Sequence, residues 1–235
     1  MVRRVRIGVL GGIGPEATGE FYIKLIRRLQ ERKFIRSNQD YPQIIINSIP
    51  AAELPTEAYD VLITIENIDP LYLDGLRELD DIGVDFIVMV CNTIHLLYNE
   101  LQKHIKTPIL NLREEMRKVL IAKGIKSVTI LGTPWTIKMG LYQFEGIKEI
   151  RPTEDEIKQL YNAIYNFNRG YDKQTQIETV KRICKKYIKS GAEAIILGCT
   201  ELAVMLNGET LPTINSIDVL VEATIDNFCR LRNKF

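Results

Sequence analysis

Two segments more than a hundred residues apart repeat one design. The first is Gly83-Val84-Asp85-Phe86-Ile87-Val88-Met89-Val90-Cys91, and the second is Gly191-Ala192-Glu193-Ala194-Ile195-Ile196-Leu197-Gly198-Cys199. In each, a glycine stands two positions before an acidic residue and eight before a cysteine. The apolar, β-branched run between them has the length and composition of a strand buried on both faces of a parallel sheet. A cysteine at the end of such a strand lies where open α/β sheets carry their chemistry. Two cysteines in matching places predict a pair of thiols facing a shared cleft.

Other landmarks recur in the same order. Val5 to Gly11 and Val128 to Gly132 are each an apolar run stopped by glycine. Thr107-Pro108-Ile109-Leu110-Asn111 and Pro212-Thr213-Ile214-Asn215 are each a short proline-led strand following the cysteine segment. Together they predict an internally duplicated chain.

Strand signals alternate with helical ones, the pattern of parallel βαβ units. The first half reads as strand 5–10, helix 15–31, strand 43–48, helix 56–79, strand 84–90, helix 93–103 and strand 108–110. The second half reads as helix 112–123, strand 126–131, helix 134–143, strand 147–150, helices 153–168 and 173–190, strand 193–197, helix 200–205, strand 213–214 and helix 216–231. The expected fold is α/β, with two pseudo-symmetric parallel-sheet α/β domains and the active site in the cleft between them. The first domain is expected to take residues 1–111 plus 212–235, and the second residues 112–211.

Composition narrows the function classes. A net charge of +1 with no basic stripe argues against nucleic acid and anionic membranes. No apolar run approaches the roughly 18 residues of a membrane span, and no leader-like segment opens the chain, so a cytoplasmic protein is expected. Four cysteines with no C-x-x-C pair read as reduced thiols, not a disulfide scaffold. With two histidines and no clustered ligands, a metal site is not expected.

Gly11-Gly12-Ile13-Gly14-Pro15-Glu16-Ala17 follows a strand and opens a helix, like a dinucleotide-binding turn. Glu16 would place negative charge where a pyrophosphate needs positive potential, and no acidic residue follows the second strand for a ribose. Two readings remain for this turn: backbone N–H groups lining a small-anion pocket, or tight helix packing. Cys91-Asn92-Thr93 and Cys199-Thr200-Glu201 carry the strongest signal. A thiol at a helix N-terminus is favoured as thiolate, while neighbouring N–H groups with Asn92, Thr93 and Thr200 can hold a carboxylate. His95, four positions after Cys91, has both an orienting and a packing reading, and His104 reads as a surface residue. Cys184 and Cys229 fall within helical patterns and read as structural.

Gly11 to Thr18, Cys91-Asn92-Thr93-Ile94-His95 and Gly198-Cys199-Thr200-Glu201-Leu202, in that order, resemble the aspartate/glutamate racemase family, the aspartate racemases in particular. The resemblance spans nearly the whole chain. It implies amino-acid racemisation without cofactor, usually by a homodimer, with Cys91 and Cys199 as the catalytic acid/base pair. It also implies that Asn92, Thr93 and Thr200 bind the substrate's α-carboxylate or ammonium and that Gly12 forms a pocket wall. Many aspartate racemases carry Pro-x-Arg-Thr after the second strand. This chain reads Ser48-Ile49-Pro50-Ala51-Ala52, which leaves Ser48 at that wall without the arginine. Arg169 aligns loosely with a family lysine that contacts a carboxylate. Aspartate, with glutamate second, is the expected substrate. The alternatives are a related two-cysteine enzyme such as hydantoin racemase or maleate isomerase, and a non-catalytic amino-acid-binding protein on the same scaffold.

Overall fold

The computed structural model describes residues 4–52 and 63–233, which divide into two units: residues 1–111 with 220–235, and residues 112–219. The first unit is built on a parallel sheet of β1 (Arg6–Gly11), β2 (Gln43–Ser48) and β3 (Phe86–Met89), in the order β2-β1-β3. All four residues of β3 are buried, as the continuous apolar run requires of a strand covered on both faces. Helix α1 (Pro15–Glu31) opens on a proline, whose missing N–H costs nothing there, and buries Phe21, Leu25 and Leu29 along one stripe. Helix α2 (Leu71–Ile82) buries Tyr72, Leu76 and Leu79.

The second unit carries β4 (Ser127–Gly132), β5 (Lys148–Glu149), β6 (Ala194–Gly198) and β7 (Thr213–Asn215), all parallel in the order β5-β4-β6-β7. In the first unit the position matching β7 is a single bridge between Ile109 and Ile87. Gln102 closes that edge, its Oε1 accepting the Ile109 N–H at 2.7 Å. The duplication reaches the level of register: Ile87 and Ile195 donate their N–H groups to the carbonyls of Pro108 and Pro212, and each lies four residues before its cysteine. The repeated acidic residue has the same task in both sheets. Asp85 accepts the Arg6 N–H and Glu193 accepts the Lys126 N–H, each at 2.7 Å, pinning the start of the neighbouring strand.

Several expectations are corrected. The proline-led strand near 213 was expected to return to the first domain, yet Thr213–Asn215 completes the open edge of β6. The return into the first unit therefore falls at Val219 and Leu220, inside α9 (Ser216–Arg232), not at residue 212. Past that point Glu222 pairs with Arg28 and Arg32, and Asp226 with Arg32, fastening the helix to α1. Of the helix expected at 56–79, residues 56–62 lie outside the described residues. Residues 63–70 are not helical, because Asp69-Pro70 interrupts the chain and the Asp69 carboxylate caps the Leu71 N–H at 3.0 Å. The helix expected at 93–103 opens as a 3-10 turn over Thr93–Leu97 before α3 (Tyr98–Lys103). The helix expected at 134–143 is the short α5 (Pro134–Lys138), since Gly140 turns the chain with φ 66°. The remaining helices are α4 (Leu112–Ala122), α6 (Glu154–Asn168), α7 (Lys173–Lys189) and α8 (Thr200–Met205).

Candidate active site

In the first unit, Leu10 pairs with Met89, so Gly12 and Cys91 leave the carboxyl ends of adjacent strands. Gly12 has φ 89°, and a Cβ there would lie 2.3 Å from the Ile49 carbonyl oxygen, so only glycine fits. Its N–H donates to Thr18 Oγ1 at 2.9 Å. That one amide is therefore committed within the turn, and the close approach of Gly12 to Ile49 accounts for the glycine there. Glu16 occupies the first turn of α1 as expected. Ser48, the last residue of β2, is exposed at the same end of the sheet.

Cys91 is half-buried, while Asn92 and Thr93, directly after it, are buried. His95 is 3 % exposed, with Nε2 3.4 Å from the Met89 carbonyl. That contact places its proton on Nε2, and Nδ1 has no hydrogen-bond partner among the described residues. Burial pushes His95 down to about 4, against the opposing effect of the Met89 carbonyl. It is neutral at neutral pH and cannot serve as an imidazolium partner for a thiolate. His104 is exposed, as expected.

In the second unit, Gly132 pairs with Gly198, and a Cβ on Gly132 would lie 2.7 Å from the Gly198 carbonyl oxygen. Thr133 and Cys199 therefore emerge side by side. Cys199 is the buried, extended N-cap of α8. Its Sγ donates to Glu201 Oε2 at 2.7 Å, and Thr200 Oγ1 donates to the same oxygen at 3.2 Å. Glu201 and Thr200 are themselves buried. Arg169 is exposed at the C-terminus of α6, its guanidinium 4.3 Å above the Tyr165 ring one turn back. That is the place of a cation compensating the helix dipole.

Two residues with polar contacts or strand-end placement went unrecognised as site candidates in the sequence. Glu201 stands two residues after its cysteine, where the halves differ chemically. Thr133 holds the place of Gly12 in the duplicated register, directly after the glycine that ends its strand. Among the described residues no cluster of three or more His, Cys, Asp or Glu could hold a metal, and no helix is long and apolar enough to cross a membrane.

Residues 10–224 match the family described as Asp/Glu/Hydantoin racemase. The chain is 30% identical over 226 residues to the broad specificity amino-acid racemase RacX of Bacillus subtilis, covering 94% of this chain and 97% of that one. Among solved structures it resembles the aspartate racemase of Picrophilus torridus, at 27% identity and TM-score 0.75, covering 96% of this chain and 94% of that chain. It also resembles an aspartate racemase homologue from Pyrococcus horikoshii at 23% identity and TM-score 0.72, covering 95% and 99% of the two chains.

Proposed function

The chain belongs to the Asp/Glu/hydantoin racemase family, and from that premise we propose that it racemises free α-amino acids without a cofactor, with Cys91 and Cys199 as the two acid/base groups. The observation that carries this reading is the duplicated strand end: the same register places a cysteine after β3 and after β6, each followed by buried polar residues.

The hard step is removal of a Cα proton whose carbanion is poorly stabilised. One thiolate takes that proton from one face while the other thiol delivers a proton to the opposite face. Asn92 and Thr93 supply donors for the α-carboxylate. Thr200 commits its hydroxyl hydrogen to Glu201, so its oxygen lone pairs are suited to the α-ammonium. Proton transfer by positioned groups supplies about a hundred- to ten-thousand-fold in rate. Fixed dipoles in a water-poor setting must supply much of the remainder.

The proposed substrate range includes aspartate and glutamate and is tolerant of other side chains. Ala52 stands where an arginine would select a carboxylate, and RacX is described as broad in specificity. Arg169 is the proposed contact for an acidic side chain. The proposed assembly is a homodimer and the proposed location is the cytoplasm. The test is incubation with L- and D-aspartate, glutamate and alanine, scored by chiral chromatography. Racemisation of aspartate supports the reading, and no interconversion of any of the three would reject it.

A further inference from the structure

The two cysteine segments match in strand, register and the polar residue after the thiol, and they part company one residue later. The first half has Thr93 two positions after its cysteine, and the second has Glu201. That carboxylate is buried and accepts hydrogen bonds on one oxygen, Oε2, from the Cys199 thiol at 2.7 Å and the Thr200 hydroxyl at 3.2 Å. We infer that Glu201 is a positioning residue that keeps Cys199 as a thiol in the resting enzyme, so that Cys199 begins as the proton donor and Cys91 as the base. The assignment of Cys91 rests on the two-cysteine reading above; the relation between Glu201 and Cys199 does not.

Two physical points lead there. The thiol donates and the carboxylate oxygen accepts, so the shared hydrogen sits on sulfur. Ionising Cys199 would then set a thiolate against a carboxylate at hydrogen-bond distance with little water between, and like charges so placed disfavour the second ionisation. In the resting state that S–H points at Glu201, and a turn about the Cβ–Sγ bond frees it for delivery to the substrate. In the forward step the Cys91 thiolate forms a new S–H bond with the Cα proton. Cys199 loses its proton to the opposite face, becoming the thiolate, and Glu201 gains and loses nothing. The resulting pair of negative groups at Cys199 and Glu201 favours return of a proton to Cys199 once product leaves.

The test uses the full chain labelled with [3-13C]cysteine, whose carbon shift separates thiol from thiolate regardless of access, with Cys199 assigned by Cys199→Ser. In the wild type at about pH 8, Cys199 should resonate as a thiol. Glu201→Gln, which keeps the shape and removes the charge, should raise its thiolate fraction about tenfold or more, whereas Glu201→Asp should leave the thiol signal in place. A thiolate signal for Cys199 in the wild type overturns the inference. So does a Glu201→Gln signal that stays at the wild-type position, or one that moves no further than that of Glu201→Asp. If the expected shifts are found but no amino acid exchanges its Cα proton, the racemase reading fails while this inference stands.

Discussion

Cys91 and Cys199 differ from the two remaining cysteines in surroundings more than in exposure. Cys184 is fully buried in α7, and burial pushes its thiol up to about 12; Cys229 is raised by burial and then by the nearby Asp226 charge. Neither is suited to proton transfer near neutral pH, so Cys184→Ala should retain racemisation in a chiral assay. Iodoacetamide should inactivate in step with labelling of the half-exposed Cys91, read by peptide mass spectrometry, and a substrate analogue should slow both. Arg169 calls for a smaller expectation than a buried guanidinium would. Because it is exposed, its contact with a substrate carboxylate is worth up to about 1 kcal/mol. Arg169→Ala should therefore raise KM for aspartate a few-fold and leave alanine unaffected. An equal effect on both leaves it the cation at the end of α6. Gly12→Ala should destabilise the first unit by at least about 1–3 kcal/mol from its positive φ alone, read as a lower denaturation midpoint.

At the scale of elements, the site is set by strand ends and by the caps that follow them. The sequence made the central strands legible because burial on both faces writes them as unbroken apolar runs, and made α6 legible through Thr153 and Glu156. What it hid was contact information. The side-chain closure of an edge by Gln102 and the Asp69 cap that delays α2 depend on which way a side chain turns, which the residue types alone do not say. Glu201 was visible as a residue and invisible as a partner, because nothing in Cys-Thr-Glu says which way the carboxylate turns. The α6 cap also yields a pH prediction. Burial pushes the Glu156 carboxyl up, but hydrogen bonds from Lys186, Tyr187 and Thr153 outweigh it and hold the group at about 2, from an ordinary 4.5. A depressed carboxyl contributes stability that is full above about 4.5 and fades as pH falls toward about 2. Urea unfolding should show this loss in the wild type, and Glu156→Gln should be less stable at neutral pH with a flatter acid limb.

For the molecule as a whole, the duplication gives each unit the same sheet order and one cysteine at the same strand end. A reaction whose substrate and product are mirror images suits two like groups contributed by two like halves. The same reading predicts that dialysis against EDTA, with no pyridoxal phosphate or metal added, leaves activity unchanged; activity lost and then restored by a metal would refute it. The central claim, two thiols working on one Cα, is tested most directly by incubating L- and D-aspartate in D2O with the wild type, Cys91→Ala and Cys199→Ala, and following deuterium at Cα by NMR. The account predicts racemisation with deuterium incorporation in the wild type and no racemisation in either variant, each retaining at most exchange of a single enantiomer. Wild-type turnover in either single variant would contradict it.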